Sequence, residues 1–210
     1  MGKKGTIVID PGHGGSAETG GSSPNNATSP SGVLEKNVTL GMAFLVREAL
    51  AKEAQAGNHQ LKVVLTRDSD VNLGLKQRAE TAKTNNADLF LSIHCNASDS
   101  HKARGVETLV RPKSAGNTNH ADDKALAQAV QNAVFNAIQA HDPKTKDRGV
   151  KDQVLGVLKD EHLGGARGCL VELEFIDRTD VDTLLNIGPD APAVRADIAR
   201  AIAKALIAIL

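Results

Sequence analysis

Short runs of apolar, β-branched residues alternate along the chain with longer segments in which apolar residues recur every three or four positions. The short runs predict β-strands, and the periodic segments predict α-helices. The predicted strands are Thr6–Asp10, Leu61–Thr66, Asp88–Ile93, Gly105–Val110 and Cys169–Phe175, with a weakly extended stretch at Gly149–Leu158. The predicted helices are Val33–Ala54, Leu75–Asn85, Asp122–Ala140, Val181–Leu185 and Ala191–Leu210.

This alternation predicts an α/β fold, in which helices cover both faces of a mostly parallel sheet. Neither an internal repeat nor a long linker divides the chain, so we expect a single domain over residues 1–210. Residues 14–32 are rich in Gly, Ser, Asn and Pro and predict a long loop, a feature that is usually functional or disordered. In sheets of this kind the carboxyl ends of the strands carry the binding site.

The composition narrows the class of protein. Hydrophobic residues make up 40% of the 210 residues but aromatic residues only 2%, which predicts an aliphatic core. The 25 basic and 25 acidic residues cancel, and no basic patch with interleaved aromatics is present, so we expect no nucleic-acid partner. No apolar run reaches the ~18 residues of a membrane span. Cys95 and Cys169 lie in apolar segments and are interpreted as buried free thiols without a catalytic part.

Three residues that can bind a metal lie near predicted strand ends or at a helix start. His13 follows the first strand, Glu35 opens the first long helix, and His94 follows the strand DLFLSI. Two imidazoles and one carboxylate, with a fourth position left for water, are the ligand set of a catalytic zinc ion. Each residue also has a simpler interpretation, because a loop histidine often only donates hydrogen bonds and Glu35 would be favoured at a helix N-terminus.

Two carboxylates stand in the apolar strand CLVELEFI. Carboxylates are seldom buried unless they are paired or functional, and Glu172 could accept the proton of a metal-activated water as a general base. Glu174 competes for this role, because side chains two residues apart on a strand share a face. The alternative for Glu174 is a solvated carboxylate at the end of the strand.

Several motifs occur in order from Thr6 almost to Leu210 and carry a resemblance to a known family. They are IVIDPGHGG, LEKNVTL, VVLTRDSD, LKQRAE, ADLFLSIHCNA, GVE, DRGVK and LVELEFI. In these motifs the chain resembles the zinc-dependent N-acetylmuramoyl-L-alanine amidases of the Amidase_3 type. The combination of DPGHGG with SIHCNA is specific to that family.

The resemblance implies a six-stranded, mostly parallel twisted sheet of the phosphorylase/hydrolase-like kind, with one Zn²⁺ per chain. His13, Glu35 and His94 match the zinc ligands of the family, and Glu172 matches its catalytic glutamate. The implied reaction is hydrolysis of the amide bond between N-acetylmuramic acid and L-alanine in peptidoglycan. Asn96, of the H-x-N motif, is expected to shape the site. Arg67 and Arg78 match family arginines that we interpret as structural ion-pair residues.

The chain departs from the family pattern beside the expected base. Gly164–Gly168 replaces a proline-containing lead-in, Glu174 stands where a small or uncharged residue is commoner, and Asp177-Arg178 replaces Ser-Asn. These departures lie where substrate contacts are expected, and Glu174 would be one of those contacts. The three expected zinc ligands are unchanged. The rival functions are a zinc amidase for free muropeptides or another N-acyl peptide, and a non-catalytic cell-wall binding module.

The resemblance also implies where the protein acts and how it is controlled. We expect a monomer that acts on the cell wall, in the periplasm or outside the cell, without a separate cell-wall-binding domain. Met1–Gly5 leads into an apolar strand without a secretory signal, which fits a protein whose leader has been removed or a phage-type lysin. Arg111–Asp123 is polar and is expected to be a loop with a solvated His120, too short to act as a plug over the zinc.

Overall fold

A six-stranded sheet forms the centre of the molecule in the computed structural model, which describes residues 2–210. The strands are β1 (Lys4–Pro11), β2 (Gln60–Leu65), β3 (Leu89–Asn96), β4 (Val106–Val110), β5 (Asp147–Asp152) and β6 (Arg167–Phe175). They are ordered β2-β1-β3-β6-β4-β5 across the sheet. Only β4 and β6 pair antiparallel, so four of the five neighbouring pairs are parallel. The expectation of a mostly parallel six-stranded sheet is confirmed.

Helices cover both faces of this sheet. They are α1 (Glu35–Gly57), α2 (Leu75–Thr84), α3 (His120–His141), α4 (Asp160–Leu163), α5 (Thr179–Asp182) and α6 (Ala191–Ile209). Buried residues of α1, α3 and α6 form one apolar cluster with the sheet, and those of α2 and α4 form a smaller cluster on the opposite face. The single α/β domain expected from the sequence is therefore observed. Within residues 2–210, no helix is long and apolar enough to cross a membrane.

Alternation along the central strands divides the core into these two clusters. In β1, Ile7 and Ile9 face the larger cluster, while Val8 between them faces the smaller one. At the start of β3, Leu89 faces the larger cluster and Phe90 faces the smaller one. Because all five side chains are fully buried, each stabilises the fold by roughly 1.5–3 kcal/mol relative to an exposed position. The aliphatic core expected from the composition is thus built on a sheet that is buried on both sides.

Two segments differ in type or bounds from their predicted structure. The stretch predicted as weakly extended, Gly149–Leu158, contains the second half of β5 and a 3-10 turn at Gly156–Leu158. The pattern was weak there because β5 is a polar edge strand with little apolar surface to bury. The predicted helix Val181–Leu185 begins earlier, as α5, and continues in a π-helical turn, in which the Gly188 N–H donates to the Thr183 carbonyl at 2.9 Å.

The expectation of a solvated loop histidine at position 120 is wrong. His120 is the first residue of α3, and its side chain is only 12% exposed. Its Nε2 lies 3.0 Å from Oδ1 of Asp152, the last residue of β5. The histidine therefore ties the start of α3 to the edge of the sheet. The segment before it, which was expected to be a structureless loop, contains a 3-10 turn at Lys113–Ala115.

Two buried arginines hold the turn that follows β1. Arg78, from α2, forms an ion pair with Asp10 at 2.9 Å, as expected, and donates to the carbonyl of His13 at 2.7 Å. Arg67 does not form the expected ion pair. It donates instead to backbone carbonyls, among them Pro11 at 3.0 Å and Gly12 at 2.9 Å. Burial, the largest cause, together with the charge of Arg78 lowers the pKa of Arg67 to about 10.

Replacing Asp10 by Asn should destabilise the fold because it leaves the Arg78 guanidinium buried without a counter-charge. Breaking such a pair costs about 3–5 kcal/mol, measurable as a lower free energy of unfolding in urea at pH 7. Glu48→Gln is the matched control, since Glu48 pairs with Lys52 on the surface and its loss should barely change stability. An Asp10→Asn protein as stable as the wild type would contradict this account.

The same pair sets a pH dependence. Burial raises the pKa of Asp10, but Arg78, Thr66 and Ser92 outweigh it, so the folded-state pKa lies below the ordinary value. A carboxylate with a lowered folded-state pKa stabilises the protein above its unfolded-state pKa of about 3.9, and this contribution is lost as the pH falls through the folded-state value. The stability difference between wild type and Asp10→Asn should therefore narrow below about pH 4.

Candidate metal centre and its carboxylates

His13, Glu35 and His94 come together at one edge of the sheet. His13 follows β1, Glu35 is the first residue of α1, and His94 lies in β3, two residues before its end at Asn96. The Glu35 Oε1 atom is 3.2 Å from Nε2 of His13 and 3.1 Å from Nδ1 of His94. One ligand atom from each of the three side chains lies within 4.8 Å of the other two. The structure thus brings the predicted ligand set together.

The His13 ring is oriented for metal binding. Its Nδ1 lies 3.0 Å from the carbonyl oxygen of Ser23 and 3.0 Å from the Ser23 hydroxyl. Donation to the carbonyl places the proton on Nδ1 and leaves Nε2 with a free lone pair. That Nε2 is buried and makes no hydrogen bond within the described chain, although Glu35 Oε1 lies 3.2 Å from it. Metal-bound histidines usually have this arrangement, with the second ring nitrogen held by a backbone carbonyl.

Glu35 is a buried carboxylate that remains charged. It is 1% exposed and accepts hydrogen bonds from the backbone N–H groups of Ala27, at 3.1 Å, and Cys95, at 3.0 Å. Burial raises the pKa of Glu35, but the neighbouring imidazoles of His13 and His94 outweigh it and hold the pKa far below the ordinary value. A buried negative charge between two imidazoles would attract a cation. Two imidazoles and one carboxylate fit a divalent metal such as zinc.

Glu172 lies beside this ligand set in the sheet. In register it is paired with His94 of β3 on one side and with Glu107 of β4 on the other. Its Oε2 is buried and has no hydrogen-bond partner among residues 2–210. Burial, followed by the negative charges of Glu35 and Glu107, raises the pKa of Glu172 well above the ordinary value. A carboxyl group with an unused oxygen and a raised pKa is suited to accept a proton and return it.

Sequence reasoning missed a polar cluster on the far side of Glu172. The Asn96 amide donates to Oε1 of Glu107 at 2.8 Å. Oε2 of Glu107 accepts from Nε of Arg148 at 2.6 Å and from the Lys151 ammonium at 2.5 Å. Asn96 is therefore held by Glu107, which is consistent with the site-shaping role expected of it. The motif DRGVK was the available signal, but nothing in it showed that both cations reach one carboxylate.

A small cavity of about 170 Å³ opens beside the two histidines. Its apolar wall comes from Leu75, Leu155, Val157 and Leu170, and its polar wall from Ser22, Ser23 and Asn26. Ligand pockets for whole small molecules usually measure about 300–1,000 Å³. This cavity is therefore too small for a whole ligand of that kind, and has room for one substituent.

Comparisons with known proteins agree with this geometry. The sequence profile of the Amidase_3 family, N-acetylmuramoyl-L-alanine amidase, matches residues 7–208. The chain belongs to this family.

Two relatives show the range of Amidase_3 proteins. N-acetylmuramoyl-L-alanine amidase LytC of Bacillus subtilis is 35% identical over 173 residues, which cover 81% of this chain and 29% of LytC. The endolysin of Bacillus phage SPP1 is 30% identical over 180 residues, which cover 86% of this chain and 58% of the endolysin. The chain thus spans less than two thirds of the length of either relative.

Solved structures of the family share the fold. The catalytic domain of CwlV, an N-acetylmuramoyl-L-alanine amidase from Paenibacillus polymyxa, superposes with a TM-score of 0.76 at 26% identity, covering 96% of both chains. An N-acetylmuramoyl-L-alanine amidase from Clostridium difficile 630 superposes with a TM-score of 0.74 at 26% identity, covering 98% of this chain and 96% of that protein. The single-domain architecture seen here is therefore the Amidase_3 architecture.

Glu174 is not the solvated carboxylate expected at a strand end. It is fully buried. The expectation that it shares a face with Glu172 fails because β6 is irregular here: Glu172 pairs with His94, but Phe175 rather than Glu174 pairs with Asn96. Such a bulge adds one residue and re-aims the side chains that follow. The partners of Glu174 are Arg104 at 3.2 Å, the Gly105 N–H at 2.8 Å and the Thr145 hydroxyl at 2.8 Å.

The two thiols are buried and free, as expected. Burial, followed by the charges of nearby carboxylates, raises the pKa of Cys95 well above the ordinary value, and burial does the same to Cys169. A buried thiol with a raised pKa is a poor nucleophile. That neither thiol has a catalytic part stays a prediction.

Glu174→Gln should act on stability. The substitution leaves Arg104 with Asp142 and Asp180 as its remaining counter-charges, so the loss should be smaller than the cost of about 3–5 kcal/mol for a buried charge left with none. Urea denaturation at pH 7 measures the change, and Glu18→Gln, at an exposed position, is the control that should leave stability unchanged. Unaltered stability of Glu174→Gln would show that Arg104 is adequately neutralised by its other partners, Asp142 and Asp180.

Proposed function

We propose that the protein hydrolyses the amide bond between N-acetylmuramic acid and L-alanine in peptidoglycan, with one Zn²⁺ held by His13, Glu35 and His94. The observation that carries this proposal is the meeting of three ligand atoms within 4.8 Å, next to a carboxyl group, Glu172, whose Oε2 is buried without a partner. Membership of the amidase family supplies the substrate.

Zinc would supply a Lewis acid that polarises the scissile carbonyl and lowers the pKa of its bound water to about 7. The protein fits this ion because the His13 Nε2 is buried without a partner and the Glu35 carboxylate stays charged. Three protein ligands leave a fourth position for water or substrate, which is typical of catalytic rather than structural zinc. All three come from one chain, so a monomer is sufficient.

Glu172 moves the proton in this scheme. Its carboxylate accepts a proton from the attacking water as the oxygen of that water bonds to the carbonyl carbon of the muramoyl group. When the carbon–nitrogen bond breaks, Glu172 returns the proton to the nitrogen of the leaving alanine. The raised pKa of Glu172, caused mainly by burial, suits both halves of this exchange, because general acid–base catalysis works best near the operating pH.

Asn96 and the small cavity would position the substrate around this centre. The Asn96 amide is fixed by Glu107 of β4, two strands from the β3 strand that carries His94 and Asn96. The cavity beside His13 offers an apolar wall to a substituent of the sugar or its acyl group. The names of the relatives, a bacterial amidase and a phage endolysin, support action on the cell wall. Both a leaderless lysin and an exported amidase are consistent with this site.

Removing one ligand should remove the metal. His94→Ala is expected to retain well under one equivalent of zinc after dialysis, because two ligands hold the ion far less tightly than three. Elemental analysis of the purified protein measures this independently of activity. His120→Ala is the matched control, since His120 is paired with Asp152 and should not affect zinc content. A full equivalent of zinc in His94→Ala would show that the ligand set is wrong.

Glu172→Gln should separate proton transfer from metal binding. The variant is expected to keep its zinc and its fold while the release of stem peptide from purified peptidoglycan falls by about 10²–10⁴-fold. Glu161→Gln, which changes an exposed carboxylate in the same way, should release peptide at the wild-type rate.

Wild-type protein that binds peptidoglycan but releases no peptide would favour a binding module. Cleavage of soluble muropeptides alone would favour the muropeptide amidase.

A further inference from the structure

The edge strand β5 carries two cationic side chains, Arg148 and Lys151, on one face, although they are three residues apart in sequence. In a regular strand such residues point to opposite faces. Here the register shifts, since Val106 pairs with Asp147 but Thr108 pairs with Val150. The extra residue lies at Arg148–Gly149, and Gly149 has a φ of +74°, which glycine adopts without strain. The bulge turns Arg148 and Lys151, the basic pair, toward Glu107.

The basic pair has a charge surplus. Both side chains donate to the same oxygen of Glu107, so two positive charges face one negative charge. Neither is buried: the Arg148 side chain is 33% exposed and that of Lys151 is 43% exposed. Only Nε of Arg148 is used in this bond, and its two Nη groups donate to no acceptor in residues 2–210. The guanidinium carbon lies 4.9 Å from the Phe175 ring centroid, which fixes the plane of the group.

The basic pair belongs to a row of side chains that crosses the sheet from the metal ligands. His94 of β3 is paired with Glu172 of β6, Glu172 with Glu107 of β4, and Glu107 lies opposite the bulge that carries Arg148. Strands are spaced by about 4.8 Å, so the backbone of the basic pair, two strands from β6, lies roughly 10 Å from that of Glu172. This is an upper limit for the charged groups, because they reach back to Glu107. An extended peptide advances about 3.3–3.6 Å per residue, so this distance corresponds to roughly three residues.

We propose that the basic pair binds a carboxylate on the peptide half of the substrate, within about three residues of the scissile bond. This inference rests on the proposed function. The carboxyl group of muramic acid is consumed in the amide that is cleaved, so the carboxylates of the substrate lie on the peptide. Arginine and lysine with unused N–H groups are suited to such an anion. The row then orients the peptide away from the metal ligands, with its charged group over β5.

Kinetics on two matched substrates test the proposal: a muramoyl peptide with a free carboxylate on its second residue, and the same peptide with that carboxylate amidated. Losing a charged hydrogen bond should raise KM for the carboxylate substrate by about 10–100-fold in Arg148→Gln and Lys151→Gln, with kcat changed much less. KM for the amidated substrate should stay near the wild-type value. Arg148→Lys should recover part of the loss, and Lys146→Gln, at an exposed position on the same connection, should behave as wild type.

Calorimetric binding of the peptide product separates this inference from the proposed function. The dipeptide alanyl-glutamate should bind wild-type protein more tightly than its amide, and Arg148→Gln should abolish the difference. This result would support the basic pair even if no muramoyl peptide were cleaved. Equal binding of the two dipeptides, or equal weakening of both by Arg148→Gln, would overturn the inference and leave Arg148 only as a support for Glu107.

Discussion

The metal centre depends on the burial of two guanidinium groups beneath the turn that follows β1. A guanidinium has five N–H donors, and burying it is tolerable only when these donors are paired. All five donors of Arg78 find acceptors, on Asp10, Pro11, His13, Asn72 and Leu73. Arg67 binds the carbonyl of Gly12 and that of Lys36 through the same Nη2 atom, at 2.9 Å each. The two arginines thereby fasten the residues around His13 to the helical turn that carries Glu35.

This fastening explains how His13 adopts a backbone conformation that is unfavourable for most residues. Its φ is +61°, in the left-handed region, which costs on the order of 1–3 kcal/mol for a residue with a side chain. The bond from Arg78 to the His13 carbonyl and the bond between Nδ1 and Ser23 hold it there. In return the ring points Nε2 toward Glu35 instead of into solvent. Local strain and an unpartnered nitrogen thus have one cause, the bonds that fasten this turn.

Much of this arrangement could be predicted from sequence, and what could not has a physical explanation. Strand ends that carry His13 and His94 converge because parallel strands share an edge, so the ligand set was accessible to pattern analysis. The side-chain directions on β5 and β6 were not, because each strand contains a register shift that breaks the alternation of faces. For that reason Glu174 was placed beside Glu172, and the shared partner of Arg148 and Lys151 was not foreseen. A polar edge strand such as β5 also lacks the apolar pattern that defines the central strands.

The two register shifts reduce the repulsion between carboxylates that lie side by side on β6 and β4. Glu172 and Glu107 are directly paired across β6 and β4, where like charges destabilise a sheet. The shift in β5 brings two cations to Glu107, and they hold its pKa below the ordinary value against the effect of burial. The shift in β6 takes the third carboxylate, Glu174, out of the row and pairs it with Arg104. Of the two carboxyl groups left in the row, Glu107 is bound to cations and Glu172 is not. The buried Oε2 of Glu172 therefore remains free to take a proton beside the histidines.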